Sequence, residues 1–155
     1  MKHLPLVLAI YVAFVFVQSL FFKFAGVITG NPADITIYIF DTVGQWMSDI
    51  GLGQIGTLFA AHGGVVIGLA ELLASALILI TVTRKWGALL GLGIMSGAIF
   101  FHIFTPLGLF PYTDLSCTTA GCPTEKPLFF MAIGVWLSCA YLAWQGFLKQ
   151  NDAGA

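Results

Sequence analysis

The sequence predicts an all-α integral membrane protein: a bundle of four transmembrane helices with a short interfacial helix in its first outer loop. Three observations carry this expectation. Only 8% of the 155 residues are charged and 59% are hydrophobic, whereas a soluble domain carries about a quarter charged residues. The mean hydropathy, +0.96, is too high for a surface that faces water. The apolar residues also fall into four blocks, each close to the roughly 20 residues that cross a bilayer core as a helix. This composition excludes a soluble enzyme and a disordered tail. A net charge of −1 with no basic face excludes a nucleic-acid binder.

The first span is expected at residues 4–22, with no charge inside it. Met1-Lys2-His3 ahead of it resembles the charged start of a signal peptide. Its 19 residues exceed the about 7–15 of a signal core. Phe22-Lys23-Phe24 also stands where a small-residue cleavage site would be needed, so the span reads as a retained helix.

In the outer loop that follows, Asn31-Pro32-Ala33-Asp34 reads as a helix start, with Asn31 as N-cap and Pro32 at the first helical position. Behind it Ile39, Phe40, Val43, Trp46 and Met47 share one helical face, and Asp34, Asp41, Gln45 and Ser48 the other. That pattern suits a short helix lying flat at the interface, with Tyr38 and Trp46 at headgroup depth. It is either a cap resting on lipid or a lid over a cavity. Gly51, Gly53 and Gly56 supply a flexible turn into the second span, expected at residues 58–80 and containing Glu71.

Arg84-Lys85 turn the chain into the third span, residues 87–110, which carries His102. Gly93 and Gly97 on this span have the Gly-x-x-x-Gly spacing that packs helices tightly within a bundle, and Thr105-Pro106 is expected to kink its outer end. A second outer loop with Cys117 and Cys122 leads to the fourth span, residues 128–147, where Cys139 reads as a small buried hydrophobe. With no internal repeat, residues 1–150 form a single domain and 151–155 a short C-terminal tail. Counting Lys and Arg sets the orientation. Lys2, Arg84, Lys85 and Lys149 fall on one side, Lys23 and Lys126 on the other, which places both termini in the cytoplasm and the two longer loops outside.

A charge near mid-bilayer costs about 2.5–3.5 kcal/mol, so it faces protein or water and finds a partner. Glu71 shares a helical face with Gly64, Gly68 and Ser75, which points it into a helix–helix seam. There it is either a hydrogen-bonding group or one that handles a proton or ligand. His102, in the outer half of its span, is likewise an interhelical hydrogen-bonder or a functional group. Lys23 follows Ser19 on one face of the first span. It either snorkels to the interface or joins Glu71 and His102 around one outward-opening cavity. Gln18 is a further candidate interhelical bonder, and His62 lies on a different face from Glu71. Glu71, His102 and Lys23 are therefore the candidate catalytic or ligand-binding residues.

On this topology Cys117 and Cys122 sit in an oxidising compartment, where a disulfide is expected. It is either a structural staple or a redox pair exchanging electrons with a partner. Two cysteines with no histidine pair do not make a zinc site, and no metal is expected.

Several stretches resemble the DoxX-like family of small four-helix bacterial membrane proteins. They are Phe21-Phe22-Lys23-Phe24-Ala25-Gly26, Tyr38-Ile39-Phe40-Asp41-Thr42-Val43-Gly44, residues 71–80 beginning with Glu71, residues 87–102 ending in His102, and residues 128–132. The resemblance covers most of residues 11–145, and Lys23, Glu71 and His102 are its more specific positions. It implies a multi-pass bundle in a bacterial inner membrane. Relatives include subunits of a thiosulfate:quinone oxidoreductase and members associated with thiol-redox complexes. A quinone is thus the candidate cofactor and a redox protein the candidate partner, beside the lipid bilayer itself. The second outer loop departs from the family pattern: Cys117, Cys122 and Pro123-Thr124-Glu125-Lys126-Pro127 stand where a short Gly-rich acidic turn is expected. No family role is carried onto these cysteines.

Two functions follow. One is a redox-associated membrane subunit that binds a small ligand or quinone in an outward-facing polar cavity. The other is a noncatalytic scaffold or small-solute permeation protein with a structural loop disulfide. Whether the chain is an enzyme, and whether it forms a homo-oligomer, the sequence leaves open.

Overall fold

The computed structural model describes residues 3–114, 116–117 and 121–152. They form helices α1 (Leu4–Lys23), α2 (Ala25–Thr29), α3 (Asp34–Asp49), α4 (Gly53–Leu79), α5 (Arg84–Phe104) and α6 (Lys126–Asp152). Four of these, α1, α4, α5 and α6, are long and apolar enough to cross a membrane. Lys2 and the side chain of Lys149, both used in the orientation count, lie outside the described residues, as do residues 153–155 of the expected tail.

Helix ends follow local chemistry. α5 stops at Phe104, six residues short of the expected 110, because Thr105 is extended (φ −120°, ψ 167°) and Pro106 has no N–H to continue the ladder. Thr105-Pro106 therefore terminates the helix and does not kink it. α6 begins at Lys126, two residues before the expected start, with Pro127 in its first turn, where its missing N–H is harmless. At 27 residues α4 is about 40 Å long, starting at Gly53 just after the turn that Gly51 makes at φ 94°.

Successive long helices run antiparallel. Phe24 and Leu20 of α1 lie over Gly68 of α4, while Gly87 of α5 backs onto Ala74, Leu77 and Ile78. Along α5 and α6, Gly91 meets Cys139, Ser96 accepts a hydrogen bond from Trp136, and His102 sits beside Phe129. Phe16, Val12, Ile78, Val135, Cys139 and Leu142 fill the centre. Large apolar side chains also cover the outside, among them Phe14, Phe21, Val66, Phe104 and Leu137.

The connection between α1 and α4 differs from expectation in two respects. A short helix, α2, follows α1 and ends at Gly30 in the left-handed region (φ 76°). α3 then starts at Asp34 with Ala33, not Asn31, as N-cap: the Ala33 carbonyl accepts the first-turn N–H groups of Thr36 and Ile37. Pro32 is left outside the helix, packed over Gly26.

α3 does not lie flat across the end of the bundle. It runs alongside the first half of α4 in the opposite direction, with Ser48 and Gly44 at Gly56, and Phe40 and Thr36 at Gly63 and Gly64. The glycines form the groove that admits it. Phe40 and Val43 are buried there, and Trp46 stacks edge-on against Phe100 and Phe101 of α5. The apolar face read from the sequence is real, but it is spent on protein. α1 and α3 thus follow one another in the same direction along α4, with the α2 turn between them.

Gly93 and Gly97 also depart from expectation. A Cβ at either would meet nothing within 4 Å, so the pair faces out of the bundle instead of packing within it.

Candidate functional site

Two helices aim their polar side chains at each other. On any α-helix the Cα–Cβ bonds tilt toward the N-terminus, so on antiparallel α1 and α4 the side chains of Lys23 and Glu71 lean together. Lys23 Nζ lies 2.9 Å from Glu71 Oε1 and 2.8 Å from Oε2, a two-pronged ion pair. Ser19, one turn before Lys23, completes the cluster. Its hydroxyl lies 2.6 Å from Glu71 Oε2 and accepts a 3.1 Å hydrogen bond from Lys23. Gly68, one turn from Glu71 with no side chain of its own, lets α1 approach closely enough for these contacts.

The two charges differ in exposure: the side chain of Glu71 is 3% exposed and that of Lys23 17%. Lys23 lies at one end of an open cleft of about 350 Å³ between α2, α3 and α4. Thr36, Phe40, Asp41 and Gly64 line its walls. Asp41 also borders a second, wider cleft of about 740 Å³, with Trp46, Asp49 and Pro106.

His102 does not join this cluster. It is buried near the end of α5, where Nδ1 lies 2.8 Å from the carbonyl oxygen of Gly108, and its ring stands edge-on to Phe129. It fastens the turn after α5, which Gly108 makes at φ 72°. His62 and Gln18 are exposed on their helices, so Gln18 is not the interhelical bonder expected.

Cys117 and Cys122 form a disulfide. The stretches flanking it pair with each other: Glu125 N–H donates to Pro111 O, Thr113 N–H to Pro123 O, and Tyr112 pairs with Thr124. At its turn the Ser116 hydroxyl and N–H both donate to Asp114, holding that carboxyl below the usual aspartate range. Tyr112 packs edge-on against Tyr38 of α3, with ring centroids 5.5 Å apart. Burial and the neighbouring Tyr112 push the Tyr38 hydroxyl above the ordinary tyrosine range, against an opposing hydrogen bond with Thr42. The two longer loops therefore touch each other, and α3 connects the cysteine hairpin to the cleft. Cys139, expected as a buried hydrophobe, is fully buried against Gly91.

Sequence reasoning found Lys23 and Glu71 but not the cleft walls, Thr36 and Asp41. Their signal was the polar face of α3, legible as amphipathic but not as facing a cavity. No group of three or more metal-ligating side chains occurs among the described residues. Comparison with protein-family models, curated proteins and solved structures gave no match.

Proposed function

We propose that the chain is an integral inner-membrane protein of the DoxX-like kind, with both termini in the cytoplasm and the Lys23 cleft receiving the polar head of a small ligand. A quinone is the candidate that the resemblance supplies, and a redox role in company with a partner protein is its consequence. The observation that carries this reading is a nearly buried ion pair whose lysine lines an open cleft. Ionisable groups deep among apolar helices are expensive to keep and mark ligand or ion sites by default. Titration of the purified protein with a short-chain quinone, followed by difference spectroscopy, tests the reading. Saturable binding weakened at least about tenfold, or 1.4 kcal/mol, in Lys23→Met is expected. Absent binding, or binding unchanged in both Lys23→Met and Glu71→Gln, would remove the cleft from consideration.

One observation favours a second reading, the noncatalytic scaffold. Both oxygens of Glu71 and the ammonium of Lys23 already have partners within the cluster, as a purely structural seam requires. On that reading the same variants change stability and bind nothing.

A further inference from the structure

The Lys23–Glu71–Ser19 cluster has a second complete hydrogen-bonding arrangement. Ser19 Oγ carries one proton and has two acceptors in reach, Glu71 Oε2 at 2.6 Å and the Phe16 carbonyl oxygen at 2.7 Å. If Glu71 takes up a proton on Oε2, its new O–H donates to Ser19 Oγ, and the Ser19 hydroxyl turns wholly to Phe16. No polar atom is orphaned by the exchange. Lys23, however, then loses its counter-charge, and a cation held in so dry a seam needs another one. Lys23 is the member of the cluster that lines the cleft.

We propose that the cleft binds the anion of a small weak acid together with one proton, the anion on Lys23 and the proton on Glu71. The charge balances: an anion and a proton join a neutral Lys23⁺–Glu71⁻ pair and leave a neutral Glu71, a cationic Lys23 and the bound anion. No covalent bond forms or breaks. An anion entering without the proton would leave a net negative charge beside a nearly buried carboxylate, which disfavours its binding.

The other charged and titratable groups around Glu71 fit this exchange. α1 contributes only Lys23 within reach of the carboxyl. From α3, Asp41 lines the cleft wall, Asp34 is exposed and Tyr38 packs against Tyr112. On α4 itself His62 is exposed. In α5, His102 is tied to Gly108, and Arg84 bonds the Ile78 and Leu79 carbonyls at the opposite end beside Lys85. α6 brings Cys139 to Gly91. Asp41 adds selectivity, because its negative charge at the cleft disfavours a dianion over a monoanion.

The proposal rests on reading the Lys23 cleft as a ligand site, but not on that ligand being a quinone. Calorimetric titration of the detergent-solubilised protein with sodium acetate, in two buffers of different ionisation enthalpy, tests it. One proton taken up per acetate is expected, with the apparent Kd rising about tenfold per pH unit between about pH 6 and 8, because each anion enters with one proton. Glu71→Gln is expected to bind acetate without proton uptake and without pH dependence, and at least about tenfold tighter than the parent at the upper pH. The double variant Lys23→Gln, Glu71→Gln keeps the seam neutral and is expected to lose acetate binding. Acetate binding without proton uptake, binding retained by the double variant, or no binding to the parent protein would each overturn the proposal. If acetate fails while a quinone still binds in a Lys23-dependent manner, the cleft stands and only the ligand class is wrong.

Discussion

Glu71 draws its entire neutralisation from one neighbour, so the two ends of the pair are not interchangeable with alanine-like residues. Lys23→Leu leaves a carboxyl buried without its cation, and a loss of about 3–5 kcal/mol is expected from thermal or denaturant unfolding in detergent. The double variant Lys23→Gln, Glu71→Gln is expected to lose less than half as much, because an amide pair can hydrogen-bond without isolating a charge. Equal losses in the two proteins would mean that packing, not charge, dominates the seam. At Asp114 the physics is simpler. Its depressed carboxyl stabilises the hairpin turn at pH values above the unfolded value near 3.9, and the benefit is lost as pH falls through the lower folded value. The carbon-13 shift of that carboxyl is expected to titrate below the reference value and to move part of the way back in Ser116→Ala.

At the level of elements, glycines decide which helix surfaces meet. A Cβ on Gly44 would lie 2.6 Å from the Gly56 carbonyl oxygen and 2.8 Å from Ala60 Cβ. Gly44→Val is therefore expected to push α3 off α4 and to destabilise the protein by about 1–3 kcal/mol. Gly93→Ala and Gly97→Ala meet nothing and are expected to be neutral or stabilising by up to about 1 kcal/mol each through helix propensity. Unfolding of the three variants side by side measures the contrast. All these glycines look alike in sequence. Gly-x-x-x-Gly spacing states only that a helix could be approached closely, and the neighbour is supplied by the rest of the chain.

For the whole molecule, the distribution of basic residues predicts both termini on one side of a membrane and both cysteine-containing and α3 loops on the other. Labelling of single cysteines introduced at Thr81, between α4 and α5, and at Asn31, between α2 and α3, with an impermeant reagent on intact cells checks this. Labelling at Asn31 and protection at Thr81 are expected, and the reverse pattern would invert the topology. Phe14, Phe21, Leu137 and Trp144 stay exposed on the outside of the bundle, because among the described residues no further helix covers them.

Much of this architecture was legible in composition and periodicity. Long apolar runs require helices because a backbone removed from water must satisfy its own hydrogen bonds, and this constraint acts locally. The same locality marks Glu71 as a costly residue needing a partner. Local pattern could not say that His102 would spend its Nδ1 on Gly108, since that carbonyl arrives only when Pro106 ends α5 and the chain doubles back. Nor could it say where α3 goes. An amphipathic helix buries its apolar face equally well against lipid or against a neighbour, and the groove at Gly56, Gly63 and Gly64 exists only once α4 is placed. The sequence by itself determined the helices and their buried charges. The tertiary structure decided which charges meet, because ion-pair energy depends on distances set by helix packing.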